Sequence, residues 1–377
     1  MTSDNKLGLY IHIPFCDSIC NYCNFNRGLF DSDLKVRYLK ALNKEICNSS
    51  EGAEIDTLYF GGGTPSLLTP EEVSQLVISC KNSFSVDPVA EITLEANPDS
   101  VTSSRLRGWL DAGVNRISFG VQSFRDEELD RLGRRHSSDQ AKEALLLARD
   151  AGCDEINIDI IFWLPAQTMS HCRESVKTLI DLEPDHASFY MLELYPNAPL
   201  KEEMVRSGWS LAPDEDATTM YLETLDLTDA AGYEQYEISN VSRSGKQCRH
   251  NLKYWQDGEW LGFGCGAHST CGGYRWKNVS ETEKYISVVT QRGSIWSEHR
   301  KLTTQEQLGD ALFMGLRLSS GLDLASIEDR YGVDIMVEHK LALEPFLERG
   351  LLVHSAGRLR LTRPGMLLAN EVMSTFV

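Results

Sequence analysis

The chain has 377 residues, 42% of them hydrophobic, and sets 37 Lys and Arg against 55 Asp and Glu, a formal charge of −18. A chain of this size can bury one large α/β core and a smaller second one without disulfide staples. The acidic balance and the lack of a basic cluster exclude a phosphate-neutralising nucleic-acid surface, and no run of the roughly twenty apolar residues needed to cross a bilayer occurs.

From Leu7 to about Thr228, short β-rich runs alternate with amphipathic helical stretches, the pattern of parallel strands joined by crossover helices. Six such units are predicted. Their strands are Leu7–Ile13, Thr57–Phe60, Glu91–Ala96, Arg116–Gly120, Glu155–Ile161 and His186–Leu194. Helices follow near Asp33–Asn48, Pro70–Ser83, Ser104–Ala112, Ser137–Ala151, Ser170–Asp181 and Asp214–Ala231. Thr69-Pro70-Glu71-Glu72 marks one start, with a capping hydroxyl, a proline at the first helical position and acids in the first turn, and Gly152 closes another helix. Residues 236–296 are rich in glycine and aromatics with little periodicity. From Thr303 helical patterning returns and ends on two short runs, 350–354 and 357–361, that predict a hairpin. The expected class is α/β: a barrel-like βα domain over 1–235, a connecting segment over 236–300, and a smaller helical, winged-helix-like domain over 301–377.

Directly after the first strand stand Cys16, Cys20 and Cys23, spaced Cys-x3-Cys-x2-Cys. Thiolates are soft ligands, and three on one loop can converge on one metal centre. A cubane cluster or a structural zinc normally takes four ligands, so three leave one position open to a substrate or cofactor. A zinc knuckle completed by His12 or a later cysteine is the rival reading, weakened by the lack of a second Cys-x2-Cys or His-x3-His downstream. Ten cysteines in 377 residues are too sparse for a disulfide scaffold, and Met1–Lys6 lack the apolar core of a secretion signal, so a reducing, cytoplasmic setting is expected. Cys47, Cys80, Cys153 and Cys172 fall in helical patterns and read as packing residues.

In a βα barrel the active site gathers at the C-terminal ends of the strands. Gly61-Gly62-Gly63-Thr64 follows the second strand and lets a ligand approach the backbone, although such turns are more often plain geometry. Glu95 ends the third strand, where a carboxylate can accept from ribose hydroxyls. Gln122 follows the fourth. Alternation in Asn157-Ile-Asp159-Ile-Ile161 turns Asp159 to the barrel interior with Asn157. Arg249-His250-Asn251 through Tyr254-Trp255, followed by Gly264-Cys265-Gly266-Ala267-His268, joins two histidines, aromatics and glycines outside any long helix. Imidazole can ligate haem iron and such a surface can admit a flat macrocycle, though a packing histidine is the commoner outcome for His250.

Together these residues resemble the radical S-adenosylmethionine (SAM) proteins, whose hallmark is Cys-x3-Cys-x2-Cys. Within them the chain is similar to the branch holding the oxygen-independent coproporphyrinogen dehydrogenase HemN and the haem chaperone HemW. The matching motifs are Tyr10-Ile-His-Ile-Pro-Phe-Cys16, Gly61-Gly-Gly-Thr-Pro-Ser66, Glu95-Ala-Asn-Pro-Asp99, Gly113-Val-Asn-Arg-Ile-Ser-Phe-Gly-Val-Gln122 and Leu132-Gly-Arg134-Arg-His136. They continue through Asn157-Ile-Asp159, Leu164-Pro-Ala-Gln-Thr168, His250-Asn-x-x-Tyr254-Trp255 and Gly264-Cys-Gly-Ala-His-Ser269. The resemblance implies a partial (β/α)6 barrel with a [4Fe–4S] cluster on Cys16, Cys20 and Cys23 and SAM on its open iron. Tyr10, Gly62 and Glu95 match positions that contact this SAM, and Tyr22, Gly63, Thr64, Gln122, Arg134 and Asp159 match those of a second SAM. His250 matches a haem-associated motif.

The branch is chosen by departures from the pattern. Phe25 stands where the dehydrogenases carry a further cysteine, and the N-terminal arm before their cluster is nearly lacking; both favour the chaperone side. Trp163 and Ala166 replace glycines usual around Leu164-Pro165, and Trp163 is expected to narrow the cavity mouth. What the resemblance implies is a haem-binding radical SAM protein that passes haem to an acceptor protein. An electron donor for the cluster and a transient membrane-protein contact complete its expected partners. The rival is an enzyme, acting in porphyrinogen decarboxylation or SAM-dependent methyl transfer.

Overall fold

Strand Leu7–Ile13 (β1) alternates Leu9, Ile11 and Ile13 with Gly8, Tyr10 and His12. In a computed structural model that describes residues 6–49, 52–196 and 198–376, the apolar set is buried with Tyr38 and Leu42 of helix Ser32–Asn48 (α1), while Tyr10 and His12 line a cavity. Met1–Asn5, part of the stretch expected to carry no secretion signal, lie outside the described residues.

The same division repeats along Glu54–Gly62 (β2), Ser85–Ala96 (β3), Arg116–Gln122 (β4), Glu155–Phe162 (β5) and His186–Met191 (β6). Phe60, Leu94, Phe119, Ile158 and Phe189 join the core, whereas Tyr59, Glu95, Ser118, Asp159 and Ser188 face one cavity. Helices Pro70–Ser83 (α2), Ser103–Asp111 (α3), Ser138–Asp150 (α4) and Met169–Asp181 (α5) make the crossovers, and Asp214–Ala230 (α6) follows the last strand. The six strands pair in parallel in chain order, as the βα pattern predicts, and β1 does not pair with β6, so the barrel is partial and open. At the start of α2 the Thr69 hydroxyl accepts from the Glu72 N–H while the Glu72 carboxylate accepts from the Thr69 N–H, a reciprocal cap of about 1 kcal/mol.

The stretch expected as a connection adds strands to both edges of this sheet. Glu234–Glu237 (β7) and Asn240–Ser242 (β8) join antiparallel beside β6. Trp260–Phe263 (β9) pairs parallel with β1 and begins an antiparallel ladder through His268–Cys271 (β10), Tyr274–Asn278 (β11) and Trp296–Lys301 (β12). Strands this short carry too few alternations to show a period in the sequence. Helices Arg249–Trp255 (α7) and Thr282–Thr290 (α8) lie between them.

Beyond, helices Thr304–Gly315, Leu324–Tyr331 and Lys340–Glu348 accompany a small sheet in which the predicted hairpin forms from Leu352–Ser355 and Arg358–Leu361. Arg317 ties this region to the barrel through the fully buried Glu237 at 2.9 Å. Among the described residues no helix is long and apolar enough to cross a membrane. Cys80, Cys153 and Cys172 are buried, but Cys47, expected to pack, is exposed in the last turn of α1.

Candidate functional site

The loop after β1 is closed at its base, where Phe15–Cys16 pairs in parallel with Gly28–Leu29. Inside it the Cys23 N–H donates to the Cys20 carbonyl at 3.3 Å, and Arg27 donates to the carbonyls of Cys23 and, at 3.1 Å, Phe25. Asn21 anchors the outer side by donating to the Arg131 carbonyl at 2.7 Å and to Glu203 at 2.9 Å. The braced loop presents Cys16, Cys20 and Cys23 to one cavity of about 370 Å3. The Thr64 hydroxyl donates to Cys16 Sγ and the Arg134 guanidinium to Cys20 Sγ, both at 3.5 Å. Burial raises the Cys16 and Cys23 thiols above their ordinary value, so an adjacent cation is needed to hold them as thiolates. Three soft donors lining one cavity, two of them already accepting hydrogen bonds, suit a multi-iron cluster, in which each thiolate holds a different iron; among the described residues no three such side chains close on a single metal-ion position.

The glycine turn at the end of β2 is shaped to this loop. A Cβ on Gly63 would lie 2.7 Å from the Phe15 carbonyl oxygen and 2.9 Å from Cys16 Sγ, and Gly62 sits at φ 121° against the His12 ring. Gly63→Ala is expected to push the loop off its seat, at a cost of about 1–3 kcal/mol. It should also lower iron uptake on anaerobic reconstitution. Iron content and denaturation midpoint equal to wild type would show that the turn does not set the loop.

Below the loop a cluster of polar side chains lines the cavity. Glu95 accepts from the Tyr59 hydroxyl at 2.8 Å and from the Gly62 N–H at 3.1 Å; burial, helped by the charge of Asp159, pushes its pKa up to about 7. Asp159 accepts from Asn157 at 2.8 Å and from Ser118 at 3.4 Å, and burial raises it too. Arg134 also donates to Asn97 Oδ1 at 2.7 Å and to the Gly120 carbonyl at 2.6 Å. Gln122 closes β4 at φ 71°, a left-handed conformation that costs a non-glycine residue about 1 kcal/mol, at a bulge against β5.

Thus Cys16, Cys20, Cys23, Tyr22, Gly62, Gly63, Thr64, Glu95, Gln122, Arg134 and Asp159 come together, and Tyr10 and His250 are not among the lining residues. Tyr10 instead lines a second cavity of about 710 Å3, which shares Asn24, Phe25, Gly62 and Glu95 with the first. His250 is 1% exposed, with Nδ1 bonded to the Thr57 hydroxyl at 2.9 Å and Nε2 to the Tyr254 hydroxyl at 2.8 Å. Burial, with Lys253 and Arg116 nearby, pushes its pKa down to about 3, and neither nitrogen is open to an iron. Trp163 does not narrow the mouth either: its indole N–H donates to the Ala212 carbonyl at 2.8 Å and it is not part of the cavity lining. Both Trp163 and Ala166 adopt the left-handed backbone, the conformation that suits the glycines expected at those positions.

The sequence reading missed Arg116, a fully buried cation on the cavity floor whose Nε has no partner among the described residues. The signal was present in Arg116-Ile-Ser118-Phe-Gly120, where polar residues and glycine alternate with buried apolar ones in a strand covered on both faces.

Residues 10–179 match the radical SAM superfamily and residues 302–368 the HemN C-terminal domain. The chain is 35% identical to the heme chaperone HemW of Bacillus subtilis over 98% of both chains, and 32% identical to that of Haemophilus influenzae, again over 98% of both. Its structure is similar to that of Escherichia coli coproporphyrinogen III oxidase (HemN), a radical SAM enzyme, with a TM-score of 0.88 and 25% identity over 99% of this chain and 90% of that one.

Proposed function

This chain belongs to the radical SAM superfamily, in the family of the HemW heme chaperones, and on that premise we propose that it binds haem and passes it to an acceptor protein. In this reading Cys16, Cys20 and Cys23 hold a [4Fe–4S] cluster, Tyr10, Gly62 and Glu95 contact the SAM on its open iron, and Tyr22, Gly63, Thr64, Gln122, Arg134 and Asp159 hold a second SAM. When bound, cluster and SAM supply a one-electron cleavage of a sulfonium bond. The chain's own residues do the rest. Arg134 and Thr64 hold two sulfurs by hydrogen bonds, and Tyr59 with the Gly62 N–H fixes the Glu95 carboxylate. Asn157 and Ser118 orient Asp159.

Phe25 carries the choice of haem delivery over porphyrinogen oxidation. Where the dehydrogenases place another thiol, this loop ends in an aromatic ring, 64% exposed, at the border of the two cavities. An exposed Phe gains about 1.5–3 kcal/mol when covered by an apolar partner, and a macrocycle is such a partner. The partners this reading requires are haem, an acceptor protein and an electron donor for the cluster; a transient membrane-protein contact belongs to the same proposal.

The test is anaerobic. With reconstituted protein, coproporphyrinogen, SAM and reductant, no vinyl product is expected; with haem, binding above that of an unrelated acidic protein and transfer to an apo-acceptor are expected. Efficient product formation would favour the HemN-like enzyme, which the overall structural similarity to that protein keeps as the rival.

A further inference from the structure

We infer that His186 is a positioning residue for the second SAM: acting through the Asn157 amide, it sets the direction in which the Asp159 carboxylate faces the cavity. This rests on the role proposed above for Asp159 and adds a residue that does not itself line the cavity.

Strand register places the groups. In the parallel pair of β5 and β6, Asn157 stands beside His186 and Asp159 beside Ser188, so the four side chains project from one face of the sheet. Asn157, His186 and Ser188 are buried, and a buried amide has to find its partners within the protein. Asn157 finds all of them. Its Nδ2 donates to Asp159 Oδ1 at 2.8 Å and to the Ser118 hydroxyl at 2.7 Å. Its Oδ1 accepts from His186 Nδ1 at 2.6 Å and from the Ser188 hydroxyl at 3.3 Å.

The direction of each bond follows from the carboxylate. An ionised Asp159 only accepts, so the amide turns its nitrogen to Asp159 and its oxygen to His186. His186 therefore carries its proton on Nδ1, and its Nε2 accepts from the Tyr236 hydroxyl at 2.8 Å. Burial, with the charge of Arg116 nearby, holds the imidazole well below its ordinary pKa, so the ring is neutral and its tautomer is what matters. Were the amide reversed, its oxygen would meet Asp159 Oδ1, two acceptors in contact, and its nitrogen would meet the Nδ1 proton. The serine hydroxyls can rotate to suit either orientation; the imidazole N–H cannot.

Tyr236, behind the imidazole, is itself fixed. Its ring meets His186 edge to face with centroids 5.5 Å apart, its carbonyl accepts from the Ser319 N–H at 3.0 Å, and the neighbouring Glu237 pairs with Arg317. Hydrogen bonds thus run in series from Tyr236 on β7 through His186 and Asn157 to the carboxylate in the cavity.

The experiment titrates SAM into the full-length protein by calorimetry, after anaerobic reconstitution and with the cluster oxidised so that SAM is not cleaved. Wild type is expected to take two equivalents. His186→Leu, similar in size but without a donor, should keep its iron and the first equivalent and bind the second about tenfold more weakly. His186→Asn places an amide N–H where Nδ1 stands and should bring the second equivalent back to within about threefold of wild type. Wild-type affinity for both equivalents in His186→Leu overturns the positioning role. So does a tenfold loss in folded, iron-loaded His186→Asn, an outcome that decides the matter even where His186→Leu fails to fold. Wild type that takes only one equivalent overturns the second-SAM reading itself, a result separable from the other two.

Discussion

Cys20→Ala, like Cys16→Ala and Cys23→Ala, is expected to abolish the broad absorption near about 400 nm that a reconstituted [4Fe–4S] protein shows, and to reduce bound iron to background. Three thiols are the fewest that hold a cubane while leaving one iron open, so removal of any one leaves two anchors and no site. Each of the three has its own support: Thr64 for Cys16, Arg134 for Cys20, and Arg27, which braces the carbonyl of Cys23. Cys47→Ala is the control, because that thiol is exposed at the end of α1 and absent from the cavity lining. Anaerobic reconstitution followed by absorption and iron and sulfide analysis decides the matter. A full-strength band in Cys20→Ala, or its loss in Cys47→Ala, would move the cluster off this loop, and a colourless wild type would revive a structural zinc.

The six βα units were legible because each strand had one apolar face for the helices and enough length to show it. Caps helped, as at Thr69 and Gly152. Within the βα array two helices went unread: Asp126–Arg131 is too short for a helical period, and Pro199–Ser207, nine residues long, makes little more than about two turns. Long-range neighbours were the deeper limit. His250 was found as a motif residue, but what decides its role is Thr57, 193 residues away, and nothing local reveals that both ring nitrogens are taken. Arg116 stands in an alternation that carried a signal, offset by the ordinary tendency of an arginine opening a strand to face solvent. The cysteine loop needed no such neighbours, and so it was the most readable part of the site.

The largest effect on stability is expected from Glu45→Ala. Glu45 lies on α1, 6% exposed, and accepts three hydrogen bonds: from the Gly264 N–H and Asn278 Nδ2, each at 2.8 Å, and from the Tyr285 hydroxyl. One carboxyl thereby ties α1 to the turn after β9, the end of β11 and helix α8. Truncation leaves those donors buried and unpaired, a loss of about 3–5 kcal/mol. Its pH dependence has a definite sign. Burial pushes the Glu45 pKa up to about 7, against the opposing hydrogen bonds, so the folded chain binds this proton more tightly than the unfolded chain, where a glutamate titrates at about 4.3. The contribution is complete below the unfolded pKa and is lost as pH rises through the folded one, a span on the order of 3 kcal/mol. The penalty for Glu45→Ala is therefore larger at pH 5 than at pH 8. Urea denaturation of both proteins at the two pH values measures it, and amide exchange across 260–285 should rise in the variant. A penalty that is equal at both, or greater at pH 8, would mean that Glu45 is ionised in the folded chain and that its hydrogen bonds outweigh its burial.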